Sequence, residues 1–132
     1  MSDQLPPSTP PDLTVHQRII LRAAELISVE ENWIKGKAFR AKSGDLYGNY
    51  CSLGALYKAA GEVCGVITSE VGNSSQALMA YTNAVSWFSR LVPEHYRDYY
   101  SGSYKERPIH TWNDASTTKY SDVKQAFCKA AK

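Results

Sequence analysis

The sequence lacks any long hydrophobic run. No window of its 132 residues approaches the stretch of about 18 apolar residues that a membrane-spanning helix needs. Residues 1–12 hold neither the basic stretch nor the apolar stretch of a secretory signal peptide. We therefore expect a cytoplasmic protein that makes no contact with a membrane.

The sequence also lacks the short motifs of metal and nucleotide sites. Its cysteines and histidines form no CxxC or HxxxH pair, so we expect no metal. It has no Walker motif and no Gly-x-Gly-x-x-Gly, which argues against a nucleotide-binding fold, and we expect no cofactor. The odd number of cysteines, three, indicates reduced thiols rather than a disulfide framework.

An excess of charge of one sign is missing too, since 15 basic and 13 acidic side chains give a formal net charge of +2. Such a balance does not by itself indicate a nucleic-acid partner. Hydrophobic residues make up 43% and charged residues 21%, which excludes a wholly disordered chain. We expect one domain over residues 13–132, preceded by a flexible proline-rich tail over residues 1–12.

The hydrophobic periodicity predicts a mainly α-helical fold, a compact domain of four helices. The first helix begins at Thr14, whose spacing to Gln17 fits a capping box, and continues to about Val29. For the second helix we expect an N-cap at Asn49 and a stop at Gly65.

The third helix is expected to open within residues 72–75 and to end at Pro93, and the last covers residues 121–131. Two irregular segments, 32–48 and 94–108, separate the helices, since glycines and turn residues interrupt the periodicity there. Residues 109–112 are short and β-like. Any sheet is limited to one short ribbon.

The first irregular segment carries a basic run with aromatic neighbours. Positive charge interleaved with aromatic rings is typical of nucleic-acid grooves and phosphate sites. Four charges are few, however, and the commoner role of such a run is a solvated loop. We keep these side chains as candidate partner-binding residues: Lys35, Lys37, Arg40 and Lys42.

The second irregular segment is rich in tyrosine. Tyrosine and arginine are enriched at interface hot spots because they combine apolar area with directional hydrogen bonding. The alternative is that some of the tyrosines only cover the third helix. The candidate partner-binding residues here are Tyr99, Tyr100, Tyr104, Lys105 and Arg107.

Three short motifs resemble a known family. They are Tyr-Cys-Ser-Leu-Gly-Ala-Leu at 50–56, Trp-Asn-Asp at 112–114, and Asp-Val at 122–123. Together they resemble a family of small uncharacterised proteins from actinobacteria and bacteriophages, a domain of unknown function, over about residues 20–131. The chain departs from that pattern at Lys119, where the family has a threonine cap, and in its tyrosine-rich insert. The resemblance constrains the fold and implies a phage or mobile-element origin. It gives no indication of an activity.

One set of residues has the chain order of a cysteine hydrolase. Cys51 lies near a predicted helix N-terminus, which lowers the pKa of a thiol. His110 and then Asn113 or Asp114 follow in the order of a base and its orienting group. The alternative, which we favour, is a buried structural cysteine, because cysteine is among the most buried residue types.

The Trp-Asn-Asp motif has a ligand-clamp interpretation and a structural one. In the structural interpretation Trp112 fills the core, while Asn113 or Asp114 binds nearby backbone amides and fixes the turn into the last helix. We favour the structural interpretation because turn chemistry explains both polar residues without a ligand.

These observations favour a small non-catalytic binding protein over an enzyme. We expect it to inhibit or modulate a host protein or nucleoprotein complex, such as a defence system. The alternatives are a Cys51-dependent thiol hydrolase and a nucleic-acid-binding accessory protein.

Overall fold

The computed structural model describes residues 13–35, 39–41, 47–94, 96 and 106–131. Within these ranges the chain is mainly α-helical, as the periodicity predicts. The proline-rich tail predicted for residues 1–12 lies outside the described residues. None of the helices in the described ranges is long and apolar enough to cross a membrane.

Five α-helices of nine residues or more lie in the described ranges. They are α1 Val15–Leu26, α2 Ser52–Cys64, α3 Ser75–Phe88, α4 Glu106–Asp114 and α5 Tyr120–Ala130. Short 3-10 helices cover Glu30–Asn32, Thr68–Asn73 and Ser89–Leu91. Two strands, β1 Phe39–Ala41 and β2 Tyr47–Tyr50, pair antiparallel with Phe39 opposite Tyr50. This hairpin is the short ribbon allowed for by the sequence.

Helix α1 begins as predicted. The Thr14 hydroxyl accepts a hydrogen bond from the Gln17 amide at 3.2 Å, and the Gln17 side chain accepts from the Thr14 amide at 2.9 Å. This reciprocal pair satisfies two amides that have no partner within the helix. The helix ends at Leu26, short of the predicted Val29, and Ile27 still packs into the core.

Helix α2 begins two residues later than predicted. Its N-cap is Cys51, whose sulfur accepts a hydrogen bond from the Gly54 amide at 3.3 Å. Asn49 does not cap the helix, because its side-chain amide donates instead to the Glu31 carbonyl. Gly65 ends the helix in the left-handed conformation, with φ of 74°, which confirms the predicted stop.

Helix α4 contradicts the β-like prediction for residues 109–112. Ile109 and Trp112 lie three residues apart and are both buried, while His110 faces solvent, which is a helical pattern. Pro108 fits within this helix because it lies in the first turn, where its missing N–H removes no intrahelical hydrogen bond. The described residues therefore contain five α-helices of nine residues or more, one more than the four predicted.

The core forms where the helices converge. Helices α1, α2 and α3 pack against one another, α5 packs on α1 and α3, and α4 packs on α2. The ring of Phe88 is central, with ring centroids 4.3 Å from Phe127 and 6.2 Å from Trp112. Trp112 is buried, as the structural interpretation of its motif expects.

Candidate functional site

A fully buried asparagine joins three separate parts of the chain. The Oδ1 atom of Asn113 accepts hydrogen bonds from the Ser52 amide at 3.0 Å, the Ser52 hydroxyl at 2.7 Å and the Trp33 indole N–H at 2.8 Å. Its Nδ2 atom donates to the Ile34 carbonyl at 3.1 Å and to Asp114 Oδ1 at 3.0 Å. We call this set of five residues the Asn113 junction.

The junction explains why an asparagine stands at the end of α4. The Ser52 amide is in the first turn of α2, where amide groups have no acceptor within the helix. Asn113 supplies that acceptor from another helix, and its amide also satisfies the Ile34 carbonyl. Asn113 is buried and bonds backbone groups, in line with the structural interpretation of its motif. Its partners, however, lie at residues 33–34 and 52 rather than in the turn before α5.

The turn into α5 is fixed by other groups. Lys119 is the N-cap residue, and its amide donates to Asp122 Oδ2 at 2.9 Å. A carboxylate in the first turn of a helix is favourable because it interacts with the positive end of the helix dipole. Asp122 therefore compensates for the absence of a hydroxyl cap at Lys119.

Cys51 lies beside the junction as a buried thiol. Only 2% of its surface is exposed. Burial raises the pKa of the Cys51 thiol above its ordinary value, and the nearby Asp114 carboxylate raises it further, whereas the hydrogen bond from the Gly54 amide acts in the opposite direction. A raised pKa leaves less of the nucleophilic thiolate at neutral pH.

The other members of the proposed hydrolase set lie on α4, His110 in its middle and Asn113 and Asp114 at its C-terminal end. His110 Nε2 is 3.5 Å from Asp114 Oδ2, one turn along the helix, and the His110 side chain is 54% exposed. Asp114 acts electrostatically on Cys51, so the structure brings Cys51, Asn113 and Asp114 together at the start of α2. Asn113 cannot orient an imidazole with the atoms that hold Ser52, Trp33 and Ile34.

A part-buried polar pair lies at the N-terminal end of α4. The Tyr81 hydroxyl donates to Glu106 Oε2 at 2.5 Å, and the Tyr57 ring meets the Tyr81 ring edge-on at a centroid distance of 5.2 Å. Burial raises the pKa of Tyr81 strongly, and the Glu106 carboxylate adds to the effect. Sequence reasoning missed this pair because nothing in the spacing of Tyr81 and Glu106 signals their contact.

Lys35 has a definite partner in the structure. Its Nζ donates to the Ala115 carbonyl at 2.6 Å and lies 5.5 Å from the centroid of the Trp33 ring. A lysine at the C-terminal end of a helix interacts favourably with the exposed carbonyls there. This first residue of the basic run therefore helps to hold the end of α4.

Most of the other predicted partner-binding residues lie outside the residues that the structure describes. Arg40 lies in β1 and Arg107 in α4, and only the backbone of each is described. The remaining predicted residues lie outside the described ranges: Lys37, Lys42, Tyr99, Tyr100, Tyr104 and Lys105. Their role stays a prediction.

A cleft of about 340 Å³ lies between α5 and the chain that follows α3. Trp112 and Ala126 contribute apolar surface, and Tyr96 and Pro93 also line the cleft. The other lining residues are Leu91, Thr117, Thr118, Asp122, Gln125 and Lys129. Sequence reasoning did not find this cleft, because the residues that line it come from four separate stretches of chain.

No group of three or more metal-ligating side chains occurs in the part of the chain that the structure describes. No curated protein and no solved structure is significantly similar to this sequence. The profile of DUF6197, a family of unknown function, matches residues 11–132. This match includes the 50–56, 112–114 and 122–123 motifs and confirms the resemblance to an uncharacterised family. The chain belongs to DUF6197, a family of unknown function.

Proposed function

We propose that this protein is a small non-catalytic binding protein that modulates a larger host protein or nucleoprotein complex. In its most specific form, the proposal is that the protein is a cytoplasmic inhibitor of a host defence complex and is of phage or mobile-element origin. Its size, its balanced charge and its two irregular segments all support a binding role over an enzymatic one.

The main support for the proposal comes from the contacts of Cys51 and Asn113, two of the residues that resemble a catalytic set. Cys51 is buried and caps α2, and its raised pKa works against thiolate formation. All the polar atoms of the Asn113 side chain are engaged in the junction. Cys51 and Asn113, two residues of the hydrolase set, thus make contacts that support the fold.

The two irregular segments also approach a common part of the molecule. Lys35, in the first segment, contacts Ala115, just after α4. Tyr96, at the start of the second, lines the cleft together with Thr117 and Thr118. Lys35 and Tyr96, one described residue from each segment, therefore both lie near the turn at residues 115–118.

The test is recovery of a stoichiometric partner from a bacterial host lysate on the immobilised full chain. Combined Tyr99→Ala, Tyr100→Ala and Tyr104→Ala substitutions should weaken capture by about 2 kcal/mol or more if a true hot spot is removed. Lys124→Ala, at an exposed position on α5, is the control and should leave capture intact. Failure of the wild-type chain to recover any stoichiometric partner would count against a binding function.

The salt dependence separates a protein partner from a nucleic acid. Phosphate contacts release counterions, so binding to a nucleic acid should weaken steeply as salt rises. We expect a shallow dependence and a larger effect of the tyrosine substitutions than of Lys37→Ala and Arg40→Ala. If the lysine and arginine substitutions abolish binding and the tyrosine substitutions do not, the partner is a nucleic acid.

A Cys51-dependent thiol hydrolase is the second candidate. One specific observation favours it, namely that Asp114 lies 3.5 Å from His110 and also acts electrostatically on Cys51. This candidate requires a reactive Cys51. Iodoacetamide labelling of Cys51 at neutral pH therefore separates the hydrolase from the non-catalytic binding protein.

A further inference from the structure

The cleft beside α5 combines an apolar floor with two opposite charges. Trp112 and Ala126 provide the floor, and Asp122 and Lys129 lie on the exposed side of α5. Neither charged side chain forms an ion pair with any residue that the structure describes. Asp122 uses one carboxylate oxygen to accept from the Lys119 amide, which leaves its second oxygen for another donor.

The spacing of these two charges is set by the helix. Asp122 and Lys129 are seven residues apart on α5, which is two turns and about 10.5 Å along the axis at 1.5 Å per residue. Seven residues also return to nearly the same side of the helix. The backbone positions of Asp122 and Lys129 are therefore about 10 Å apart on one side of α5.

This spacing discriminates between conformations of an extended peptide. In a β-strand, side chains on one side recur at every second residue, about 6.6 or 13 Å apart. In the polyproline II conformation they recur at every third residue, about 9.3 Å apart. Of these repeats, that of polyproline II is nearest to the rise of about 10.5 Å between Asp122 and Lys129 along α5.

The lining of the cleft suits the same conformation. Polyproline II segments bind in grooves lined by aromatic side chains, and Trp112 and Tyr96 line this one. The backbone of such a segment has no internal hydrogen bonds, so its carbonyls need donors. Thr117 and Gln125 place a hydroxyl and an amide group on the lining.

We propose that the cleft binds a polyproline II segment of a partner protein with a basic and an acidic residue three positions apart and proline between them. The basic side chain pairs with Asp122, the acidic side chain pairs with Lys129, and the prolines pack on Trp112. This inference rests on the proposed binding function and names the chemistry of the partner. Residues 1–12 of the chain itself contain prolines but no lysine or arginine, so they lack one of the two charges.

The test uses fluorescently labelled peptides and the full chain, with fluorescence anisotropy as the readout. A peptide with the core Lys-Pro-Pro-Glu should bind at least tenfold more tightly than one with Lys-Pro-Pro-Lys or with Lys-Pro-Glu-Pro, which changes the spacing. Lys129→Glu should remove this preference and favour Lys-Pro-Pro-Lys. Lys124→Glu makes the same change of charge on α5 outside the cleft and should retain the wild-type preference.

Asp122→Asn is the matched variant at the other end, because asparagine retains an oxygen that can accept from the Lys119 amide. It should weaken Lys-Pro-Pro-Glu binding without changing the helix content measured by circular dichroism. Equal binding of all peptides, no binding of any, or tighter binding of a peptide with the sequence of residues 1–12 would overturn the proposal. If Lys129→Glu and Asp122→Asn still capture the lysate partner at wild-type level, the cleft assignment fails while the proposed binding function stands.

Discussion

Asn113 accepts hydrogen bonds from both the backbone amide and the hydroxyl of Ser52, at 3.0 and 2.7 Å. The two residues are 61 positions apart in the chain and both are fully buried. Through this contact the C-terminal end of α4 supplies the acceptor that the first turn of α2 lacks. Asn113, which the sequence offered as a catalytic candidate, thus uses its hydrogen-bonding groups in contacts within the fold.

The first prediction concerns the loss of this side chain. Asn113→Ala leaves the buried Ser52 amide and hydroxyl without this partner, and likewise the part-buried Trp33 indole N–H and Ile34 carbonyl. Each unsatisfied buried group costs about 1–3 kcal/mol, so we expect the free energy of unfolding to fall by about 3 kcal/mol or more. Urea denaturation followed by circular dichroism measures it.

The control for this prediction is Asn83→Ala, at an exposed position on α3, which should change the free energy of unfolding by less than about 0.5 kcal/mol. Asn113→Asp should also destabilise the protein, since its second oxygen cannot donate to Ile34 and lies beside Asp114. A stable Asn113→Ala variant would show that the junction contributes little.

The second prediction concerns the close approach at Gly61. A Cβ atom at this position would lie 2.6 Å from the Val66 carbonyl oxygen and 3.0 Å from a methyl group of Val71. Gly61→Ala should therefore be destabilising, by about 1–3 kcal/mol for an overpacked site, although alanine favours helix formation. Thermal unfolding provides the measurement.

Gly72→Ala is the matched control. Its Cβ would meet only the hydroxyl of Tyr57, at 3.3 Å, at the end of a side chain that can move. We expect a smaller change in melting temperature than for Gly61→Ala. Equal effects of the two substitutions would mean that contact with the backbone at Val66 is not the cause.

The third prediction concerns stability at alkaline pH. Burial raises the pKa of Cys51 in the folded protein, so the folded state retains this proton at pH values where the unfolded chain has lost it. The stabilising contribution is therefore complete below the unfolded value, about 8.5, and is lost as pH rises through the folded pKa. The free energy of unfolding should fall with pH above about 8.5.

Cys51→Ser tests the assignment of this slope to Cys51, since a serine hydroxyl can also cap α2 and does not ionise in this range. The slope above about pH 8.5 should become shallower in Cys51→Ser than in the wild type. Cys128→Ser, at an exposed residue on α5, is the control and should keep the wild-type slope. Identical slopes in all three proteins would exclude Cys51 as the source.

Local chemistry in the sequence predicts some helix ends well. The Thr14 and Gln17 capping box needs only residues three apart, and a glycine in the left-handed conformation ends α2 at Gly65. At the start of α2 the same reasoning predicts Asn49 as the N-cap, whereas the structure has Cys51 there. It failed there because a contact from Asn49 to Glu31, outside the helix, takes the asparagine side chain.

Short segments are harder to predict for a different reason. A stretch such as 109–112 covers about one helical turn, so a period of 3.6 cannot be distinguished from a period of two. The contacts that make α4 a helix, of Ile109 and Trp112 with the core, lie far away in sequence. The Asn113 junction and the cleft depend on such contacts in the same way, so residue spacing alone does not reveal them.

The central claim is that Cys51 and Asn113 are structural rather than catalytic. Selective alkylation of the three cysteines tests this claim most directly, through the reactivity of Cys51. The full chain is treated with iodoacetamide at neutral pH, native and in urea, and labelling at each cysteine is followed by mass spectrometry. Cys128 is exposed and serves as the internal reference. We predict that native Cys51 reacts at least about a hundredfold more slowly than in urea, because labelling requires the structure to open. Labelling of native Cys51 faster than in urea would contradict the account and identify it as an activated nucleophile.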